Sequence, residues 1–457
     1  MRPFKTVFSD LLAFPRRSAG RAGISLIAAA AVLAAGAWFN PGVVITPAKA
    51  DAKFQRYVQS LWPRAKKRGI SRATFDAAFK DVAVPDPEIW EKDAHQPEFK
   101  TPASQYISLA VSDTRIESGT KLLEEHAELL ERIENKYKVD RHVLVAIWGM
   151  ETSYGTFMGN KYVIQALATL GYKGRRTKFG RTQLMAALKI LEQGHTTPER
   201  MEGSWAGAMG HTQFIPTTYT GNAVDFDGDG RRDIWDTLPD ALGSTANYLK
   251  KSGWQYGKTW GYEVELPRRF NTRLAGMKRR SSLAQWRKLG IKRVNGEPFP
   301  RPSDRASLYL PMGRKGPAFL VLKNFRVIMR YNAATKYALG VGHLSDRIRG
   351  YPAFSKPWPD GVRPLDSNER RELQELLLAR GFAIGEVDGI IGSKTREALR
   401  SLQKQKGMKA DGFPSPKLLE TLRQEAPPPP AQPQPQPPAQ PQPQAPAPVV
   451  QDAQSPT

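Results

Sequence analysis

The run Ile147-Trp148-Gly149-Met150-Glu151-Thr152-Ser153-Tyr154-Gly155 sets one carboxylate among apolar side chains. Glu151 follows Trp148 by three residues and Ile147 by four. On a helix, that spacing puts the carboxyl on the apolar stripe rather than the wet face. A carboxyl moved out of water against aromatic rings resists ionisation, so its pKa rises, which suits a general acid near neutral pH. Gly155 is read as the helix stop, holding Glu151 near the helix end at the rim of a cleft. The plainer alternative is a glutamate that snorkels to solvent or pairs with a base, and spacing by itself favours that alternative.

Two further segments shift the balance. Gly203 to Pro216 is rich in small residues, so backbone there can approach a ligand closely, with Ser204 and Gln213 able to bond sugar hydroxyls or amides. Arg330-Tyr331-Asn332 and Tyr337 bring aromatic and amide groups together, the usual lining of a carbohydrate groove. A third segment speaks of metal. Asp225, Asp227, Asp229, Asp233 and Asp236 fall at positions one, three, five, nine and twelve of a loop with Gly230 at six. This is calcium-loop spacing, with Arg231 lending its carbonyl and a shorter Asp where Glu is usual at the end. So many carboxylates repel without a cation; a solvated acidic turn is the alternative. A structural calcium clip is expected, not a regulator, and no cofactor for catalysis.

The elements that must position these groups are mostly helices. Asp140 reads as an N-cap before Val143, Leu144, Ile147 and Trp148; Leu184, Leu188 and Leu191 repeat the helical spacing, as do Ala241, Thr245, Tyr248 and Leu249. Gly261–Leu266 and Ala318–Met329 read as β-like. Residues 51–355 are therefore expected to be a mainly α (α+β) domain with a small strand-bearing part. Residues 356–364 are Pro-rich and read as a linker. Residues 365–425 read as a small three-helix C-terminal domain: Asp366 or Ser367 caps the first helix and Gly381 ends it. The loop Asp388-Gly389-Ile390-Ile391-Gly392 comes next, Ser393 caps the second helix, and a third begins near Ser415. Too small for a deep cleft, it looks like a binding module.

The ends are plain. Residues 1–50 read as an export signal: basic residues from Arg2 to Arg21, an apolar run Ile24–Phe39, then Ala48-Lys49-Ala50 for cleavage, with an uncleaved inner-membrane anchor as the alternative. Residues 426–457 are nearly all Pro, Gln and Ala, an extended tail. The chain of 457 residues has no cysteine, which excludes disulfides, thiolate zinc sites and a cysteine nucleophile. Its net charge of +24 points to an anionic partner, and export argues against nucleic acid.

Residues from about Phe54 to Phe354 resemble the membrane-bound lytic murein transglycosylase B family. The resemblance rests on Gly149-Met150-Glu151-Thr152, Ala166 to Leu170, Gly203 to Pro216, Ala223 to Asp236, Ala246 to Leu249 and Arg330-Tyr331-Asn332. Residues 365–423 resemble the small peptidoglycan-binding domain through Asp388 to Gly392, Thr395, Ala398 and Gln403. The resemblance implies a lysozyme-like catalytic domain with Glu151 as the catalytic acid. It implies substrate contacts at Tyr106, Arg175, Arg176, Ser204, Gln213, Tyr248, Tyr331, Asn332 and Tyr337, and calcium at Asp225 to Asp236. The implied reaction is a carbon–oxygen lyase step that cuts the MurNAc-GlcNAc bond of peptidoglycan. Glu151 protonates the glycosidic oxygen, then accepts the proton of the muramyl C6 hydroxyl as it closes a 1,6-anhydro ring. A monomer in the periplasm is expected, with peptidoglycan as partner and membrane contact only if the signal stays uncleaved. Residues 271–317 are Lys- and Arg-rich and match less well. The rival readings are a non-enzymatic wall-binding scaffold and a muramidase that uses water.

Overall fold

The computed structural model describes residues 51–94, 101–359, 363 and 365–425. The expected export signal and the Pro/Gln/Ala tail lie outside the described residues, as do 360–362 and 364 of the linker.

The first region is a helical body around one large core. At its centre runs the Arg141–Thr152 helix, opened by Asp140, whose carboxylate accepts the His142 N–H. Every residue from Val143 to Thr152 is buried, so the helix has no wet face. The expectation of an apolar stripe opposite a solvated side is therefore corrected: this helix is enclosed on all sides, and its neighbours rather than its periodicity decide what Glu151 meets. The Thr335–Ile348 helix packs along it and also touches Ala103–Ala110 and Asp113–Glu125. Close approach on one side depends on Gly149 and Gly119, where an added Cβ would overlap the Tyr154 ring and hydroxyl respectively.

A two-residue pair, β1 (Lys161–Tyr162) with β2 (Glu202–Gly203), joins parts of the helical body. The strand-bearing part is a separate antiparallel sheet of β3 (Gly261–Glu265), β4 (Ser281–Ser282), β5 (Lys292–Arg293), β6 (Arg305–Tyr309) and β7 (Ala318–Val321), in the order β4-β6-β7-β3-β5. It has its own core of Val264, Leu283, Trp286, Ile291, Leu308 and Leu320. The expected β-like run Ala318–Met329 is strand only to Val321; Lys323–Tyr331 is helix. Its first four residues are all buried as a strand, whereas Phe325, Val327, Ile328 and Tyr331 line one helical face.

The C-terminal unit holds three helices, Ser367–Leu378, Ser393–Gln405 and Pro416–Gln424, over a core that includes Leu365, Leu373, Leu377, Leu399, Leu418 and Leu422. Asp366 and Glu369 form a reciprocal cap at its start. Ser393 is the first helical residue rather than the cap, a role taken by the extended backbone of Gly392. Gln374 pins the glycine-rich loop, donating to Asp388 at 3.0 Å and accepting from the Gly389 N–H at 2.7 Å. Among the described residues, side-chain bonds join the unit to the helical body at Arg370 with Thr114, 3.1 Å, and at Gln105 with Asp411, 3.3 Å.

Candidate active site

Glu151 lies one residue before the end of its helix and is 1% exposed. The Tyr337 hydroxyl donates to its Oε1 at 2.5 Å. Burial pushes the carboxyl well above the ordinary glutamate value, and the Tyr337 bond opposes that rise only in part. Tyr106, Tyr331 and Tyr337 all lie within electrostatic reach of Glu151, and burial followed by its charge raises the pKa of each phenol. The acid therefore sits in an aromatic nest where its neutral form is favoured.

The helix leaves this nest by a strained route. Ser153 and Tyr154 take left-handed backbone at φ 48° and 63°, and Gly155 follows at 82°. The stop thus begins two residues before Gly155. Non-glycine residues in that region are uncommon and are held only by their surroundings. Here Arg115 donates to Ser153 Oγ at 3.3 Å, and the Tyr154 hydroxyl donates to the Arg115 carbonyl at 2.7 Å. Thr152 donates to the His211 carbonyl at 2.7 Å, and Trp148 Nε1 donates to His211 Nδ1 at 3.1 Å. Burial lowers the His211 pKa, favouring the neutral ring, and the Trp148 N–H makes Nδ1 its acceptor.

The residues expected to touch substrate divide into two sets. Tyr337, Tyr331 and Tyr106 lie around Glu151, and Tyr248 and Phe214 pack behind them on Tyr331. Tyr248 meets Tyr331 edge-on at 5.2 Å, and the Tyr331 hydroxyl donates to the Thr212 carbonyl. Gln213, at φ 52°, holds the Met158 and Gly210 carbonyls through Nε2, while its buried Oε1 has no partner. Asn332 is buried and accepts from the Ala334 N–H, a local turn. The second set is engaged in local pairs. Arg175 and Arg176 both clamp buried Asp93, each through Nε at 3.1 Å, and Arg176 lies over the Trp205 ring at 5.7 Å. Ser204 accepts from the Ala208 N–H at 3.0 Å, closing a turn.

The acidic loop departs from simple spacing. Asp225, Asp227 and Asp229 converge, but their fourth member is Asp240, from the first turn of the Leu238–Lys251 helix; these carboxylate oxygens lie within 4.8 Å of one another. Asp233 turns inward to accept the N–H groups of Trp235 and Asp236, and Asp236 is ion-paired with Arg200. The Arg231 guanidinium folds back on Asp229. A four-carboxylate cluster whose loop N–H groups already orient Asp225 fits a hard dication. Asp233 and Asp236 lie outside this four-carboxylate cluster, and Asp240, itself accepting the Phe226 and Asp233 N–H groups, joins it in their place.

Spacing missed Arg115, Asp93, Thr152, His211 and Asp240. Thr152 and His211 stood inside quoted motifs without a role, Asp240 lay just past the loop, and Arg115 and Asp93 carry no local signal.

The Transglycosylase SLT domain family matches residues 53–346, and the peptidoglycan binding domain family matches residues 366–422. The membrane-bound lytic murein transglycosylase B of Escherichia coli K12 is 32% identical over 250 residues, spanning 53% of this chain and 66% of that protein. The crystal structure of SltB3 from Pseudomonas aeruginosa with NAG-NAM-pentapeptide is 50% identical at TM-score 0.66, covering 81% of this chain and 99% of that one. The Escherichia coli lytic transglycosylase Slt35 with calcium is 28% identical at TM-score 0.56, covering 65% and 93%. With the SLT domain matched over well more than half its length, this chain belongs to the SLT transglycosylase family.

Proposed function

We infer that the protein is a peptidoglycan lytic transglycosylase in which Glu151 works alone, first as acid and then as base. The observation that carries this reading is the burial of Glu151 among phenols with no second carboxylate acting on it among the described residues. Glycosidases that use water need a carboxylate pair roughly 5–9.5 Å apart. A single acid suffices where the substrate brings its own nucleophile. Glu151 gives its proton to the bridging oxygen, and the C1–O4 bond breaks as the GlcNAc hydroxyl forms. Positive charge builds on the muramyl ring. The C6 hydroxyl oxygen then bonds to C1, and its proton returns to Glu151, leaving a 1,6-anhydro end with no water consumed. Holding that hydroxyl over C1 is the task of the groove, which we assign to Tyr106, Gln213, Tyr248, Tyr331 and Tyr337.

The family relatives named for murein support a site of action at the cell wall, within the envelope. No helix among the described residues is long and apolar enough to cross a membrane. We assign calcium to Asp225, Asp227, Asp229 and Asp240 as a structural ion outside the reaction, a reading supported by the calcium-bound Slt35 relative. Mass spectrometry of the released muropeptides tests the reaction: an anhydro end is lighter by one water than a hydrolytic end. Hydrolytic ends alone would favour a muramidase.

A further inference from the structure

The seam between the C-terminal unit and the helical body carries guanidinium groups from both sides. From the body, Arg115 donates through Nη1 to the Leu109 and Ala110 carbonyls at 2.8 Å and through Nη2 to Ser153, while its Nε is buried with no partner. From the unit, Arg396 in the first turn of Ser393–Gln405 has both Nε and Nη2 buried with no partner. The charged groups that act on Arg396 are Arg400 and Arg115, both cations. Burial and that repulsion push Arg396 down to about 10, which leaves it charged at neutral pH. The seam acid Asp411 is engaged by Gln403 and Gln105. Asp113, Asp366 and Glu117 act on Arg370 instead.

A buried guanidinium edge with neither counter-charge nor acceptor, as at Arg396 Nε and Nη2, is costly; Arg115 is held by its own carbonyl and Ser153 bonds, yet its buried Nε is likewise left without a partner. The free atoms of Arg396, Nε and Nη2, form the edge of a guanidinium that grips a carboxylate through two parallel bonds. Arg115 Nε supplies a third donor from the other side. Exposed Arg400, whose side chain lies beside Gly412, marks the edge where the seam meets solvent.

We propose that this seam is a carboxylate site, built by Arg396 and Arg115 with Arg400 at its mouth, that takes an acidic group of the peptide stem carried by the glycan strand. It rests on the reading of the protein as a peptidoglycan enzyme. The stem is the part of that polymer that bears free carboxylates, and a planar two-donor edge pairs with a carboxylate through two parallel bonds. Arg115 also holds Ser153, two residues beyond Glu151, so a stem seated here is one side chain from the end of the acid helix.

The full chain and its Arg396→Met variant are compared on soluble glycan strands with free stem carboxylates and on the same strands after carbodiimide amidation. For the unaltered chain, amidation is expected to raise KM about tenfold, the loss of charged hydrogen bonds. In the variant the ratio of KM between the two strand forms should fall toward one. Its melting temperature should hold or rise, because the change removes an unpaired buried charge. An unaltered chain indifferent to amidation overturns the site. So does a variant that loses equally on both forms, which would make Arg396 a packing residue. Should the unaltered chain release no fragments from either form, the enzymatic reading fails. The seam is then judged by thermal shift with a free stem tetrapeptide, which must stabilise the unaltered chain and not the variant.

Discussion

A carboxyl sealed from water is costly to ionise, and the role proposed for Glu151 rests on that cost. Above the ordinary glutamate pKa the unfolded chain carries Glu151 ionised, whereas the folded chain must protonate it because its pKa is raised. Folding therefore takes up a proton, and this group's contribution to stability falls as pH rises from about 4.5 toward the folded value. Glu151→Gln removes that penalty. The variant should melt higher than the unaltered chain at pH 7, with the gap closing below pH ~4.5, while anhydro-end release drops by ~10²–10⁴-fold. Calorimetry and product analysis check the two arms; a variant that melts lower at pH 7 would contradict the buried-acid account. Tyr337→Phe deletes the bond that favours the charged form, so the Glu151 pKa should climb further. Because the first step needs the protonated acid, the alkaline limb of the kcat/KM profile should move to higher pH. A limb that stays put would mean the Tyr337 hydroxyl does not act on the acid.

At the scale of the element, the acidic loop separates ligand from scaffold. Asp225, Asp227 and Asp229 meet Asp240 across the start of the next helix, while Asp236 is bound to Arg200. Calcium is expected to raise the melting temperature, because an ion held only by the folded state stabilises it by mass action. Asp225→Ala with Asp229→Ala should abolish the rise. Asp236→Ala, in contrast, should retain it, which a loop with side-chain ligation at its twelfth position could not do. Thermal melts with calcium and with chelator distinguish the two. The same scale explains the tight turn after Glu151. Gly149→Ala would drive a methyl into the Tyr154 ring, and the small-to-large change should cost ~1–3 kcal/mol in denaturant unfolding and disturb the turn that ends the acid helix.

At the scale of the molecule, a compact wall-binding unit is joined to a catalytic body. A tethered second contact makes each new encounter with the same polymer intramolecular, so effective concentration rises without any new active-site contact. Deleting residues 365–457 should slow digestion of intact sacculi more than digestion of short soluble fragments, which cannot fill both sites. Equal losses on the two substrates would instead mark the unit as packing support for the body. The chain's net charge of +24 adds attraction to an anionic wall, so sacculus binding should weaken as salt increases.

Sequence by itself determined the features that local chemistry dictates. The Asp140 cap, the helical spacing around Glu151, the acidic loop and the Asp366 cap were all legible, because caps, turns and periodicity depend on residues a few positions apart. Glu151 stood out as a candidate acid through the family resemblance, whereas spacing by itself favoured a solvent-facing glutamate; that it is buried is what the structure adds. The all-round burial of that helix was not legible, because its enclosure depends on Thr335–Ile348, nearly two hundred residues on. Nor could spacing tell that Arg175 and Arg176 clamp Asp93, that Asp240 completes the acidic cluster, or that Arg115 and Arg396 face one seam. Each of these is a pairing of charges distant along the chain. Which carboxylate a guanidinium meets, and whether it meets any, is decided by how the elements pack, and no local pattern encodes it.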